Sequence, residues 1–193
     1  MKLDHQIIAH IINEEAHVLD LGCGNGELLT LLTQEKRAFV QGIELNDEEM
    51  HKCVERGLTV LQGDIESGLV DYPDQCFDYV ILNQIMQEIR KADFVIKESL
   101  RVGKHVIVGF PNFAHIKARL TLLIAGKTPM NEALPYYRFE TPNIRFLTIY
   151  DFIDYCHKKE ITIEEKFFLG KSNLIHFLPN LFALNALFVI TKK

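Results

Sequence analysis

Val18-Leu19-Asp20-Leu21-Gly22-Cys23-Gly24-Asn25-Gly26, followed by Glu27-Leu28-Leu29, is the stretch around which this chain is organised. Four residues of strand character run without a break into a turn of three alternating glycines, and the turn runs into a helical pattern. Glycine lacks Cβ, so it accepts positive φ and lets a ligand lie against the backbone. A helix starting at Glu27 is expected to aim its first N–H groups at whatever fills the turn.

The spacing narrows the choice of ligand. A dinucleotide fingerprint reads G-x-G-x-x-G and seats a pyrophosphate on the helix N-terminus. Here the third glycine comes one residue early, at Gly26, and Glu27 stands in the fingerprint's place. Asp20 adds a carboxylate two residues before Gly22, where it would repel a phosphate and attract a cation. This loop resembles the first motif of the class I S-adenosylmethionine (SAM) methyltransferases. Their cofactor carries an ammonium and a sulfonium and no phosphate.

Outward from the loop, strands alternate with helices. An amphipathic helix is expected from Leu3, Ile7, Ile8, Ile11 and Ile12, and a first cofactor-unit helix over about 27–35. Further strands are expected at 38–44, 59–64, 77–83 and 104–110. A helix N-capped by Asn46 lies between the second and third, and a helix over about 92–100 precedes the fifth. Apolar strands alternating with helices mean a parallel sheet covered on both faces. Residues 111–147 break this rhythm with a helix expected at 113–125 and then Gly126, Pro129, Pro135 and Pro142. Such an insertion after a strand's carboxyl end reads as a lid or a docking element. Its apolar positions Phe113, Ile116, Leu120, Leu123 and Ile124 are expected to pack on the domain's own sheet. A helix capped by Thr148 and strands at 161–169 and 186–192 close the chain. The whole reads as one α/β domain, 1–193, with a Rossmann-like class I methyltransferase fold. Its seven-stranded sheet is mostly parallel, with an antiparallel last strand and helices on both faces.

Ligands of an open parallel sheet bind outside the carboxyl ends of its strands, and four strands end there in useful groups. Asp20, Gly22, Cys23, Gly24 and Gly26 form the loop after the first. Glu44 ends the second, 18 residues after Gly26, and a carboxylate there can accept both ribose hydroxyls; Leu45 follows it. Asp64 ends the third, placed for an adenine amino group, with Ile65 against the ring. Asn83 and Gln84 end the fourth, near a reacting methyl. Asp78 reads as structural. For catalysis the candidates are His115 as a base, with Asn83 or Asn112 orienting an acceptor. Methyl transfer from a sulfonium depends chiefly on alignment, and a base is needed only when the acceptor must lose a proton.

Composition excludes several alternatives. A net charge of −5 and a pI near 5.9, with no basic run, argue against a nucleic-acid or anionic-membrane surface. The four cysteines are scattered without zinc spacing, so no metal site is expected and free thiols in a reducing cytoplasm fit best. The start of the chain lacks a signal-peptide pattern. The apolar stretch 174–190 is broken by His176, Pro179, Asn180 and Asn185, which argues against a membrane span.

Nearly the full length resembles the methionine biosynthesis protein MetW family. The residues that carry it are the 19–26 loop, Phe77-Asp78-Tyr79-Val80-Ile81-Leu82-Asn83-Gln84, Leu100-Arg101-Val102-Gly103 and Phe110-Pro111-Asn112-Phe113-Ala114-His115. Leu134-Pro135-Tyr136, Thr141-Pro142-Asn143-Ile144 and Pro179-Asn180-Leu181 complete it. The pattern departs at Ile116, where an aromatic is expected, and at Arg145, where a histidine is. The resemblance implies SAM (or S-adenosylhomocysteine) as ligand, a cytoplasmic role in making methionine, and homoserine O-acyltransferase as partner. A catalytic methyltransferase on an unidentified acceptor is the alternative to a non-catalytic regulator. A homodimer stays open.

Overall fold

The computed structural model describes residues 2–130, 137 and 139–193. The motif Leu134-Pro135-Tyr136 lies outside the described residues. Seven strands form one sheet: β1 (His17–Leu21), β2 (Phe39–Glu44), β3 (Val60–Gln62), β4 (Phe77–Asn83), β5 (Gly103–Pro111), β6 (Ile161–Leu169) and β7 (Asn185–Lys192). Their order is β3-β2-β1-β4-β5-β7-β6. β7 runs antiparallel between β5 and β6, and the pairings from β3 to β5 are parallel. The expected fold class is the observed one.

Side-chain alternation along the strands separates two apolar layers. In β4, Val80 and Leu82 join one cluster while Tyr79 and Ile81 join the other. The first cluster is covered by α4 (Ala92–Val102) and α6 (Ile149–Lys158), which contribute Val95, Ile96, Phe152 and Cys156. Phe110, Phe152 and Phe188 meet at its centre, with ring centroids 4.8–5.9 Å apart; burying each ring contributes roughly 1.5–3 kcal/mol. The second cluster is covered by α1 (Leu3–Ile11) and α2 (Glu27–Lys36). α3 (Asp47–Glu55) sits beside the glycine turn, where Cys53 packs with Cys23 and Leu29.

Local signals explain the element ends. Asn46 Oδ1 accepts from the Glu48 and Glu49 amides. Thr148 and Asp151 form a reciprocal capping box at the start of α6. Asp78 accepts the His17 amide and the Lys104 ammonium, 2.9 and 2.8 Å, so it ties β1 and β5 to β4.

Two expectations in the insertion are corrected. The helix expected at 113–125 begins later, as α5 (Ile116–Leu120), and continues as a π turn, Thr121–Ala125. The delay arises because Asn112 Oδ1 takes the Ala114 amide and His115 Nδ1 takes the Lys117 amide. The apolar positions do not all pack inward either. Phe113 packs at a tilt against Phe146, but Leu120, Leu123 and Ile124 are exposed, the last two by 82% and 79%. The Pro179-Asn180-Leu181 motif forms a short helix, α7 (Pro179–Phe182), which sequence periodicity does not reveal.

Candidate functional site

The carboxyl ends of β1, β2 and β4 converge with the start of β7, and two clefts open there. The larger, about 790 Å³, is lined by Asp20, Gly22, Cys23, Gly24 and Asn83 together with residues of α1 and β7. The smaller, about 470 Å³, is lined by Glu44, Leu45, Asp64 and Ile65. Gly22 and Glu88 line both, so the clefts adjoin. Sequence reasoning had assigned Asp20 and the loop to one half of an elongated ligand and Glu44 and Asp64 to the other. Every cofactor-site residue expected from sequence lines one cleft or the other except Gly26.

Gly26 works from behind. With φ +76° it caps α2, and a Cβ there would stand 2.4 Å from Leu58 and 2.9 Å from the Cys53 sulfur. Gly24 differs: its φ is +53°, and a Cβ would meet no protein atom within 4 Å, so it faces the cleft. Gly22 lies under Ile85. The Cys23 side chain is buried toward Cys53, leaving its backbone to the cleft; burial, with the nearby Asp20, raises its thiol pKa.

The loop amides depart from the expectation of free donors. Gly22 and Cys23 N–H groups donate to the Ile43 carbonyl, and Gly26 N–H to that of Cys23. Gly24 N–H donates to Glu44 Oε2 at 2.8 Å and Glu27 N–H to Asn25 Oδ1 at 3.2 Å. A turn whose amides are largely spent is a poor cradle for phosphate. Glu44 also accepts the Leu45 and Asn46 amides on Oε1, both at 2.9 Å, which fixes its carboxylate across the mouth of the turn.

Asp20 carries the sharpest chemical demand. It is 4% exposed, and its carboxyl accepts no hydrogen bond from any described residue. Burial first, then the Glu44 charge, pushes its pKa up to about 7. A buried, unpaired carboxyl is costly, and a cationic donor relieves that cost. The residues present therefore fit a ligand with an ammonium at the glycine turn. Asp64 uses one oxygen to cap the Glu66 amide at 2.8 Å, and Ile65 is buried beside it.

Asn83 is held by Asp4 of α1, whose Oδ2 accepts from Asn83 Nδ2 at 3.0 Å. Its Oδ1 is buried without a partner and lies over Gly109, where a Cβ would come within 2.2 Å. His115 lines neither cleft; it is 7% exposed and spends Nδ1 on the cap of α5. Burial lowers its pKa. Asn112 is also committed: its Nδ2 donates to the Asn180 and Ala183 carbonyls, and Oδ1 accepts from Ala114.

Several site residues escaped the sequence reading. Asp4 and His5 of α1 line the larger cleft, as do Gln87 and Asn185, alongside the expected Gln84. In sequence the first two look like an ordinary exposed helix start. Arg145, at a departure from the family pattern, donates Nε to the Ile89 carbonyl at 2.9 Å and Nη2 to that of Arg90. The Gln87 carbonyl accepts the Ile144 and Arg145 amides at 2.9 and 3.0 Å. The end of the insertion is thus clamped to the segment 84–90 that walls both clefts.

Residues 2–190 match the family described as methionine biosynthesis protein MetW. The chain belongs to the MetW family. A curated relative, the bifunctional methionine biosynthesis protein MetXA/MetW of Rhodopirellula baltica, is 35% identical over 179 residues, 87% of this chain. The match spans only 28% of that relative's length. Among solved structures, a SAM-dependent methyltransferase of Thermotoga maritima superposes with a TM-score of 0.69 at 18% identity, covering 98% of this MetW-family chain and 87% of its own. A TehB-like SAM-dependent methyltransferase of Corynebacterium glutamicum gives 0.66 at 16% identity, covering 100% and 89%. At such identities the likeness establishes the methyltransferase fold. Among the described residues no helix is long and apolar enough to cross a membrane.

Proposed function

We propose that this chain binds SAM across the two adjoining clefts and acts in the cytoplasm in methionine biosynthesis, as a companion of homoserine O-acyltransferase. The observation that carries the ligand is Asp20, a buried carboxyl at the glycine turn with no donor from the described residues. It would hold the ammonium, with Gly22 and Gly24 giving the close approach. Glu44 would take the ribose hydroxyls, Asp64 the adenine amino group and Ile65 the ring, with Leu45 at the edge. SAM supplies an electrophilic methyl on its sulfonium.

The relative's name sets MetXA beside MetW in one bifunctional chain, which supports a partner that works in the same step. We read MetXA as the acyltransferase. The insertion 111–147 is the docking element in this reading, since Leu123, Ile124 and Phe139 stand largely exposed there. A regulator needs no base, which agrees with His115 and Asn112 being spent on structural bonds.

Methyl transfer to an acceptor is the second reading. It is favoured by the larger cleft extending past the loop to Asp4, Gln87 and Asn185. The deciding experiment measures the acyltransferase's initial rate with and without this chain across a SAM titration, while assaying S-adenosylhomocysteine. A SAM-dependent rate without demethylated product supports the regulator. Product formation supports the catalyst. An unchanged rate would detach the chain from that partner and leave methyl transfer to an unidentified acceptor as the better reading. Gly24→Val places a side chain in the cleft at positive φ and should abolish SAM binding; retained affinity would undo the ligand assignment.

A further inference from the structure

Several surface cations of this chain are paired: Arg37, Lys97, Lys104 and Lys159 each reach a carboxylate at 2.8 Å or less. The insertion differs. From Pro111 to Met130 the sequence holds no Asp or Glu, and its three cations are Lys117, Arg119 and Lys127. All three are exposed, and none forms an ion pair with any described residue. Arg119 Nε donates to the Ala114 carbonyl at 2.6 Å, which anchors that side chain along α5. Among these charges stand Leu122, Leu123 and Ile124, and the π turn that carries them has no buried residue. Ala118 is fully buried, so α5 is seated on the domain while this face stays outside. A positive, apolar face thus stands on a chain whose net charge is −5. Large apolar side chains left together at a surface mark a contact site, and unpaired cations around them favour a partner of opposite sign.

We propose that this face docks into an apolar groove rimmed by carboxylates on the acyltransferase, with Leu122, Leu123 and Ile124 in the groove and Lys117, Arg119 and Lys127 on its rim. The inference rests on the companion reading and adds to it the chemistry of the partner's surface. The relative that carries MetXA and MetW in one chain favours this occupant. A second copy fits less well, because a two-fold contact through this face would set its cations against themselves. An anionic bilayer fits less well too, because the acidic remainder of the chain would be repelled by it. Rim charges act mainly on the rate of encounter, whereas the buried apolar centre sets how long the complex lasts.

The test is the kinetics of binding between the full chain and the immobilised acyltransferase of the same organism. Raising NaCl from about 0.1 M to about 1 M shortens the screening length from roughly 10 to 3 Å. The association rate should then fall at least about tenfold, with dissociation changed by less than about threefold. The double variant Lys117→Glu/Lys127→Glu should slow association at low salt at least about tenfold. Leu123→Ala should instead quicken dissociation about tenfold and leave association within about threefold. These side chains are exposed and outside both clefts, so SAM binding serves as the check that each variant is folded. Association that ignores both salt and charge reversal overturns the acidic groove while the companion reading stands. Binding to phosphatidylglycerol vesicles that the double variant loses, with the acyltransferase unaffected, overturns it in favour of a membrane surface. Salt-sensitive self-association in sedimentation, lost in the double variant with the acyltransferase unaffected, overturns it in favour of a second copy. No binding of the acyltransferase by the unmodified chain at any salt removes the companion reading itself, and the inference falls with it.

Discussion

Asp20 is where a single residue joins stability to ligand binding. Its carboxyl titrates near 3.8 in an unfolded chain and near 7 in the fold, because burial and the Glu44 charge disfavour the anion. A folded-state pKa raised in this way means the folded chain binds more protons between those limits. Stability is therefore greatest below about pH 4 as far as this group is concerned, and falls as pH rises to about 7, by at most about 4 kcal/mol. Asp20→Asn should flatten that part of the profile of the ligand-free protein, read from urea midpoints at several pH values. The same substitution should weaken SAM, since a cation benefits from the anion. In the unmodified protein SAM affinity should rise as pH passes through 7. A steep stability slope retained in Asp20→Asn would show that another group dominates. Gly109 makes a second residue-scale test. A Cβ there would press Asn83 Oδ1 and come 2.7 Å from Leu187, so Gly109→Ala should cost about 1–3 kcal/mol. It should also disturb the Asn83–Asp4 contact, and a denaturation midpoint identical to that of the unmodified protein would contradict the packing described.

At the scale of elements, the strands and the helices that cover them were legible because each carries its own period or cap. β1 runs directly into its glycines, and Asn46 and Thr148 announce the helices they cap. The insertion was not legible in the same way, because its conformation comes from side chains that bond across long sequence separations. Asn112 is the clearest example. It reads as a polar residue after a strand, yet it bolts the end of β5 to α7 through the Asn180 and Ala183 carbonyls, some 70 residues away. Two motifs of the family pattern thereby prove to be one contact. Asn112→Ala leaves those buried carbonyls and the Ala114 amide unmatched, so it should cost roughly 2–4 kcal/mol in chemical denaturation. Asn112→Asp sets a buried carboxylate against the same two carbonyl oxygens, and should cost at least as much. SAM affinity should change little in either, because Asn112 lines neither cleft. An Asn112→Ala variant as stable as the unmodified protein would mean that water replaces the bolt at no cost.

For the whole molecule, the question is how a cleft at the sheet edge can affect a surface that another protein touches. The segment 84–90 supplies the physical connection. Gln84 and Gln87 line the larger cleft, and Ile85 and Ile89 line the smaller. The same segment accepts the Ile144 and Arg145 amides and both ends of the Arg145 guanidinium. Its entry is constrained: Gln84 has φ +59°, a costly conformation for a non-glycine residue. A ligand that favours one arrangement of this segment by about 1–3 kcal/mol would shift the insertion by the same free energy. Here the departure from the family pattern is informative, because the long Arg145 side chain reaches two carbonyls of that segment. Arg145→Ala should leave SAM affinity within about threefold, since Arg145 lies outside both clefts, while amide exchange in 139–147 quickens. If the companion reading is right, the acyltransferase should still be bound by this variant but lose most of its response to SAM. Leu123→Glu should do the reverse, abolishing binding of the acyltransferase while SAM still binds. A SAM response in Arg145→Ala equal to that of the unmodified protein would show that the clamp is not the route. The exposed face and the clefts would then have to be coupled elsewhere or not at all.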